Sequence, residues 1–485
     1  MTTPTVGWAV ALALLLSACS SQLQPPAPIP APPGSPLTVV DGPATAEALN
    51  KRYSDTAQDC GGPSLPAFLC NGVILRTTTY SPRYDSWNPS PTAERLGAVS
   101  FSYLRQDSKF ARMPWGGENG MLLYPIFASP PDKIDIDVLC SYPIDGWTDN
   151  RIGNRCGQYG SNPTSVSCEL QNITSAAQWT TLYTQQGGDN TKICAFNVRD
   201  SQNQLAGPAF YQSLLAKSSG NPTDKRFTEH NELVHGLWQQ DIPAQLPIQA
   251  FFYTTAAGLK DAWQDRLNFR YKANIDLPLI KITLPSSTAE QARFEYIAAD
   301  NIDPPLSLGT TAVALAGRTY LIPAHPGVAP AYTLGSNAIE RQASGGQMPY
   351  TYASSNPAVA AVDPYGLVTA KGNGTAQISV TDATGQSLAY TVNVSNVLKV
   401  YNFPRSNWNN ASNAVAAQGA RLPSEQEAHE LKAAFGGRWP FAHAYYWTTK
   451  ECGLGKHMAL ELHNASNVGM CASFITSYEV VGLKQ

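Results

Sequence analysis

The sequence predicts three folded units in a row: an α+β N-terminal domain, an all-β sandwich and a small α+β C-terminal domain. At 485 residues the chain is too long for one hydrophobic core, so two to four domains are expected. Helical and strand-like patterns mix before residue 302 and after residue 397, whereas the stretch between 350 and 394 holds only short strands and turns. The abundance of Tyr, Thr, Ser, Asn, Gly and Pro with few charges is typical of secreted β-rich proteins.

The charge content limits the classes of partner. Charged residues make up only 14% of the chain and the formal net charge is −3. A nucleic-acid surface needs a basic patch, and a disordered chain carries more charge. We therefore expect a folded protein that does not bind nucleic acid.

The first residues carry an export signal. Val6–Leu16 is an apolar run of signal-peptide length, too short to span a bilayer as a permanent helix. The sequence Leu-Ser-Ala-Cys that ends at Cys19 resembles the bacterial lipobox, which implies that Cys19 is acylated and anchors the chain to a membrane. The absence of Lys and Arg from MTTPTVGW departs from that pattern and leaves an ordinary cleaved signal peptide as the alternative. We predict a lipoprotein signal peptide over 1–19 and a Pro-rich extended tether over 20–39.

The cysteine count predicts disulfide bonds. Of nine cysteines, eight remain after Cys19, as expected in an oxidising compartment. Six precede residue 200, which leaves fifteen connectivities open, and chain proximity favours the pairs Cys60–Cys70, Cys140–Cys156 and Cys168–Cys194. Cys452 and Cys471 form the only sensible pair after the sandwich. A zinc site is the alternative, but no pair has short zinc-site spacing and no His lies near the first six of these cysteines in the sequence.

Residues 40–302 are expected to form one α+β domain with an open mixed sheet. β-Branched or apolar runs predict strands at 69–79, 99–104, 121–127, 248–254 and 279–284. Capping signals and helical periodicity predict helices at 175–185, 208–217 and 258–271.

This domain also resembles a known family. The motifs FLCNGVILRTT, YDSWNPSP, AVSFSYLRQDSKF, CSYPIDGWTDNR, NELV, LPIQAFFY and LPLIKITLP together resemble the secreted halovibrins over most of residues 60–300. The resemblance implies ADP-ribosyl transfer or NAD cleavage, with NAD as the substrate. Such chemistry needs a carboxylate to stabilise a sugar cation and a cleft lined by aromatic or Arg side chains.

The candidates for that carboxylate and for a charged cleft are few. In EHNELVH, a helix would place Glu229 and Glu232 on one face near His235, but a polar helix start is the simpler interpretation. The segment resembles a zinc-protease helix only superficially, since Asn231 stands where the first ligand His belongs. Arg151, with Asp145 and Asp149, either lines a cleft or orders a loop that a disulfide closes.

A further candidate is the turn from Trp87 to Pro91. It predicts either an aromatic binding platform or a packed loop, and the packed loop is favoured.

Residues 303–396 are expected to form the sandwich. Short apolar or alternating segments predict strands at 359–362, 367–369, 376–380 and 391–394, separated by turns at 363–366 and 371–374. The strand-like pieces at 311–315 and 319–322 are interpreted as linker and edge strands of this same domain.

The amino-acid sequence of this segment resembles a known family as well. SSNPAVAAVDPYGLVTAKGNGTAQISV resembles the bacterial immunoglobulin-like domains of group 2. The resemblance implies a spacer or adhesive module on a bacterial surface protein. An unrelated sandwich with common turns is the alternative.

Residues 397–485 predict a compact α+β unit. A helix over 410–418 ends at Gly419, and Ser424 with Glu427 forms a capping box for a second helix that ends near 435. Strands are predicted at 445–448, 459–462 and 479–483.

ARLPSEQEAHEL, YYWTT and the final pair of cysteines resemble the C-type lectin-like domain at the tips of intimin- and invasin-type adhesins. The Glu-Pro-Asn and Trp-Asn-Asp motifs of calcium-dependent lectins are absent, so no such sugar site is expected. His443, His457 and His463 are interpreted as scattered surface histidines rather than metal ligands.

Together these patterns predict an exported bacterial envelope lipoprotein, outer-membrane or secreted, that binds an extracellular protein or glycan through loop side chains. The alternative is a toxin-like enzyme that cleaves NAD, with the two small domains as targeting modules. A structural envelope protein without a ligand is the third possibility. We expect a monomer that needs no cofactor and no metal.

Overall fold

The computed structural model describes residues 36–60, 67–81, 83–87, 98–107, 113–125, 137–144, 166–185, 194–198, 230–236, 246–286, 290–463 and 469–485. Its β-sheets belong to three regions of the chain, in the order expected from the sequence. Among the described residues no helix combines the length and the hydropathy needed to cross a bilayer.

The N-terminal region is built on a ten-stranded mixed sheet. Its elements are β1 (Thr38–Val39), α1 (Gly42–Ser54), β2 (Val73–Thr77), β3 (Ala98–Leu104), β4 (Asn119–Leu123), β5 (Asp137–Tyr142), β6 (Val166–Ser167), α2 (Ala176–Gln185), β7 (Cys194–Asn197), β8 (Glu232–Gly236), β9 (Ile248–Tyr253), α3 (Ala256–Ala273), β10 (Ile275–Asp276), β11 (Leu279–Thr283) and β12 (Arg293–Tyr296). The strand order is β12-β11-β9-β4-β2-β3-β8-β5-β7-β6. Two core clusters form, one with apolar residues of α1 and one with those of α3. The expected mixed α+β architecture is confirmed.

One prediction for this region is wrong. The segment that contains Glu232 and His235 was expected to begin a helix, and it is strand β8, paired antiparallel with both β3 and β5. Leu233 and Val234 are both fully buried, as apolar residues on the two faces of a central strand are. The predicted helix at 208–217 lies outside the described residues.

The second region is a seven-stranded sandwich. Its strands are β13 (Val313–Leu315), β15 (Ala338–Glu340), β16 (Thr351–Ser354), β17 (Ala360–Val362), β18 (Leu367–Ala370), β19 (Gly374–Thr381) and β20 (Ser387–Val394). A four-stranded sheet β13-β20-β19-β16 faces a three-stranded sheet β15-β18-β17 across a shared apolar core. Gly366 makes the turn between β17 and β18 at φ +84°, and a Cβ there would lie 2.2 Å from the Arg341 carbonyl oxygen.

A second prediction is corrected at the edge of this sandwich. The piece 319–322 was interpreted as an edge strand of the sandwich, but β14 (Thr319–Leu321) pairs parallel with the first strand of the C-terminal sheet. The side chains of Tyr320 and Ile322 are buried in the C-terminal core. The apolar surface that they bury there stabilises the pairing of β14 with the C-terminal sheet.

The C-terminal region is a six-stranded sheet between two helices. Its elements are β21 (Val397–Asn407), α4 (Trp408–Ala417), α5 (Glu425–Phe435), β22 (Tyr445–Gly453), β23 (Lys456–Glu461), β24 (Gly469–Ser473) and β25 (Ser477–Lys484). With β14 at one edge, the strand order is β14-β21-β25-β22-β23-β24. The capping box at the start of α5 is formed as expected: the Ser424 hydroxyl accepts from the Glu427 amide, and Glu427 accepts from the Ser424 amide.

Disulfide bonds join Cys60 to Cys70, Cys168 to Cys194 and Cys452 to Cys471. Cys140 is disulfide-bonded as well, and Cys156 lies outside the described residues.

Candidate functional site

A buried carboxylate lies between two central strands of the N-terminal sheet. Ser100 on β3 and Glu232 on β8 are both buried, and the Ser100 hydroxyl donates a hydrogen bond to Glu232 Oε1. Arg76 on β2 donates from Nη1 to the Ser100 carbonyl oxygen at 2.6 Å. Ser100 therefore binds a carboxylate of one neighbouring strand through its hydroxyl and a guanidinium of the other through its backbone carbonyl.

An aromatic side chain borders this carboxylate face. His230 Nδ1 lies 3.2 Å from the Ser102 hydroxyl, and the His230 ring meets the Trp115 ring edge-on at 5.3 Å. Trp115 is 57% exposed and has φ +50°, a left-handed conformation that is rare for a large side chain. Such backbone strain, held beside buried polar groups, is a recurrent feature of functional sites.

The arrangement is braced from the other side of the strand. Asn231 accepts from the Tyr103 amide and donates to the Tyr103 carbonyl, both at 2.8 Å, which fixes β8 against β3. A rigidly held carboxylate next to a hydroxyl is suited to stabilise a developing positive charge or to take a proton.

The other predicted site residues do not join this group. His235 is fully buried against Phe101 with ring centroids 4.7 Å apart, and burial lowers its pKa to about 3, so it stays neutral. Trp87 is fully buried and packs edge-on against Phe269, which makes it a core residue rather than a binding platform. The remaining candidates lie outside the described residues: Glu229, Arg151, Asp145, Asp149, the turn residues 88–91 and the acylation candidate Cys19.

Sequence reasoning did not single out Ser100, Arg76 or Trp115. The alternation of Ser100 and Ser102 with large apolar residues in VSFSYL was a usable signal, since it predicts two hydroxyls on one face of a strand.

The C-terminal region presents an apolar tip, defined here as Leu454, Phe474 and Ile475. Leu454 is fully exposed, Ile475 is 72% exposed and Phe474 is 41% exposed. The Phe474 amide donates to the Gly455 carbonyl at 3.1 Å, so the turn after β22 lies against the turn after β24. The disulfide between Cys452 and Cys471 joins the strands that carry both turns. Large apolar side chains in adjacent exposed turns are characteristic of a protein-binding surface.

Of the three C-terminal histidines expected at the surface, His443 is exposed and His463 is half-buried, but His457 is not a surface residue. His457 is buried beneath Trp408, with parallel rings 3.7 Å apart, and burial lowers its pKa. His443 and His463 stack on each other at 4.2 Å. In the described part of the chain, no group of three His, Cys, Asp or Glu side chains has the geometry to hold a metal ion.

Sequence comparison identifies relatives of part of the chain. Residues 334–384 match the sequence model of the intimin immunoglobulin-like domain. Intimin of Escherichia coli O127:H6 is 35% identical over 172 residues, which cover 34% of this chain and 18% of that protein. Intimin of Hafnia alvei is 34% identical over 115 residues, 23% of this chain and 40% of that protein. The chain thus spans less than half the length of these relatives.

Structural comparison finds chains of intimin and of invasin. A C-terminal 282-residue fragment of intimin, solved in complex with the intimin-binding domain of the translocated intimin receptor, is 22% identical with a TM-score of 0.26, over 36% of this chain and 60% of that one. Invasin, a bacterial integrin-binding protein, is 11% identical with a TM-score of 0.22, over 30% of this chain and 33% of that one.

Proposed function

We propose that this protein is an exported cell-surface adhesin that binds a protein on another cell through its apolar tip. The observation that carries the proposal is the exposure of Leu454, Phe474 and Ile475 together on two adjoining turns that a disulfide joins. Burying side chains of this size against a partner would supply about 1.5–3 kcal/mol each. The intimin relatives support an extracellular protein partner.

The test uses the intimin-binding domain of the translocated intimin receptor as the probe, with the full-length mature protein immobilised for surface plasmon resonance. Ile475→Asp places a charge in the apolar tip and is expected to weaken binding at least about tenfold. Ile302→Asp is the matched control, because Ile302 is equally exposed at 69% but lies far along the chain from the tip.

Equal binding by both variants and the wild type would show that the tip is not the binding surface. If the wild type does not bind this probe, adherence of bacteria that display the same variants to cultured epithelial cells decides whether the tip binds another surface protein. Unchanged adherence of the Ile475→Asp variant would then reject the proposal.

We also propose that the chain reaches the surface as a lipoprotein acylated at Cys19, with the Pro-rich tether after it. The lipobox-like sequence supports this proposal. Metabolic labelling with an alkyne fatty acid should mark the wild type and not Cys19→Ser, and the substituted protein should leave the membrane fraction. Labelling that survives the substitution would contradict the proposal. We further propose that the sandwich is a bacterial immunoglobulin-like domain of group 2 and that the C-terminal unit is a C-type lectin-like domain.

A second candidate function for the N-terminal domain is NAD cleavage. The specific observation in its favour is the buried Glu232, which accepts from the Ser100 hydroxyl, while the exposed Trp115 contacts the nearby His230 ring. In this proposal Glu232 stabilises the positive charge that develops on the ribose, and Trp115 stacks on the nicotinamide.

A fluorogenic etheno-NAD assay tests this second function. Glu232→Gln is expected to lower turnover by about 10²-fold or more, whereas Glu295→Gln, which changes an exposed carboxylate on β12, should not. No turnover by the wild type would remove the enzyme hypothesis, and unchanged turnover in Glu232→Gln would remove Glu232 from it.

A further inference from the structure

Five tyrosine side chains line a cavity between the N-terminal domain and the sandwich. Tyr80 follows β2, Tyr271 belongs to α3, and Tyr350, Tyr352 and Tyr365 come from the sandwich. The cavity has a volume of about 160 Å³. That volume is close to the roughly 150 Å³ of a protein cavity known to hold benzene, so a group of about that size fits.

The cavity has an approach from solvent. It shares Tyr271 and Met348 with a wider cleft of about 650 Å³ that also lies between the N-terminal domain and the sandwich. Tyr271 is 53% exposed and stands where the two spaces meet.

One of the five rings, that of Tyr365, already faces a cation of the protein itself. The Arg83 guanidinium carbon lies 5.5 Å from the centre of the Tyr365 ring. The negative face of an aromatic ring attracts such a cation, and the attraction strengthens where water is excluded. Burial is the main cause that raises the pKa of Tyr80, so this phenol remains neutral.

Five of the polar side chains in the wall are already engaged with the protein. The Tyr350 hydroxyl donates to the Gly345 carbonyl, and the Tyr352 hydroxyl accepts from the Ala343 amide at 2.7 Å. Asp85 accepts from Asn268 at 2.9 Å and pairs with the Lys272 ammonium. A ligand with N–H donors would have to displace these bonds, whereas a cation that has no N–H group leaves them intact.

We propose that this cavity binds a quaternary ammonium group, such as a trimethylammonium, with the tyrosine rings packed around its methyl groups. The proposal is independent of the adhesin and NAD proposals, because neither uses these residues. Free choline, a phosphocholine headgroup and a trimethylated lysine all carry the same group. Of these, only the phosphorylated source carries an anion for the Lys272 ammonium at the wall, which would then share its charge between that anion and Asp85.

Isothermal titration calorimetry on the full-length mature protein tests the proposal with four probes. Tetramethylammonium, choline and phosphocholine should bind with saturation, and 3,3-dimethylbutan-1-ol, the uncharged isostere of choline, should bind at least about tenfold more weakly. Phosphocholine that binds more tightly than choline identifies the phosphorylated source, and equal affinity identifies the unphosphorylated one. Equal binding of the isostere, or no saturation by any cation up to about 10 mM, overturns the proposal.

Paired substitutions at two rings separate cation binding from packing. Tyr271→Phe and Tyr365→Phe keep the aromatic face and should bind choline as the wild type does. Tyr271→Leu and Tyr365→Leu remove it and should bind roughly fivefold more weakly per ring. Tyr271 is exposed enough for its variants to fold, which thermal unfolding verifies. Leu variants that bind as well as the Phe variants at both positions would overturn the proposal.

Discussion

Asp265 in α3 is a fully buried carboxyl group of the N-terminal domain. Burial raises its pKa to about 7, although the hydroxyls of Ser86 and Thr78 both donate hydrogen bonds to it and act in the opposite direction. Near neutral pH the group therefore gains or loses a proton within the folded protein, while in the unfolded chain it is ionised above about pH 4.

This shift predicts a stability that falls as the pH rises from about 4 to about 7. In that range the folded protein keeps a proton on Asp265 that the unfolded chain releases, so the free energy of unfolding decreases with pH. Urea unfolding of the wild type at pH 5 and pH 8 should show the decrease, and Asp265→Asn should flatten it. Glu295→Gln, which removes an exposed carboxylate, should leave the pH dependence of the free energy of unfolding unchanged. If the free energy of unfolding changed equally with pH in the wild type and in Asp265→Asn, Asp265 would not be the cause of the decrease.

Glu427 shows the opposite behaviour. Burial opposes its charge, but two bonds of 2.6 Å from the Arg421 guanidinium and one from the Ser424 amide outweigh burial and lower its pKa to about 2. The stabilisation is therefore present above about pH 4.5 and is lost as the pH falls towards 2.

Replacing Glu427 should destabilise the C-terminal unit at neutral pH. Glu427→Gln keeps the shape of the side chain and removes the charge, and we expect a loss of about 2 kcal/mol in the free energy of unfolding. Glu425→Gln is the matched control, because Glu425 lies in the same first turn but pairs with Lys450 near the surface and should cost less than about 1 kcal/mol. Equal losses in the two variants would show that the charge of Glu427, paired with Arg421, is not the cause.

At the scale of elements, the sequence predicts best what is decided locally. The capping box of α5, the turn at Gly366 and the alternation in β19 each depend on residues within four positions of one another, and all three are found as expected. Helix α1 has the same kind of local signal, because Asp41 accepts from the Ala44 amide at 2.8 Å and Pro43 occupies the first turn. This helix was not predicted from the sequence.

The candidate carboxylate site could not be predicted in the same way. Glu232 meets Ser100 across 132 positions of sequence, and a seven-residue polar and apolar stretch such as EHNELVH fits a helix or a strand equally well. Only pairing with β3 and β5 decides for a strand. The apolar tip also depends on tertiary structure, because Gly455, next to Leu454, meets Phe474 only when β23 and β24 are paired.

The disulfide at the tip should stabilise the element that carries the apolar patch. Cys452 and Cys471 are 19 positions apart, and closing a loop of that length in the unfolded chain contributes about 3 kcal/mol. The double variant Cys452→Ser, Cys471→Ser should lose about that much in guanidinium unfolding of the C-terminal unit. A change below about 1 kcal/mol would mean that strand pairing alone holds the two turns together.

At the scale of the whole molecule, the boundary between the last two units is not a single point in the sequence. Strand β13 belongs to the sandwich, β14 belongs to the C-terminal sheet, and β15 returns to the sandwich. The return segment also binds the last unit, since the Ala331 amide donates to the Ala434 carbonyl at 2.7 Å. The boundary predicted at 396 from the change in sequence pattern therefore misses a strand that pairs with residues 78 positions later.

This exchange predicts how fragments behave. Residues 397–485 alone lack Tyr320 and Ile322, whose burial contributes roughly 2–3 kcal/mol each to the C-terminal core. We expect this fragment to show no cooperative thermal transition by circular dichroism, whereas residues 303–485 should melt cooperatively. A sharp transition of the short fragment within a few degrees of the long one would contradict the expectation.

The paired strands between these units also determine how the protein carries a tensile load. Two chain segments run side by side in the same direction, β13 into β14 and β20 into β21, and Asn396 joins them by accepting from the Thr319 amide at 3.0 Å and donating to the Ala316 carbonyl at 2.7 Å. A force applied along these segments loads several hydrogen bonds in shear at once instead of opening them one after another. Because the rate of forced unfolding depends on the height of the barrier, simultaneous loading should make this junction slow to yield under flow.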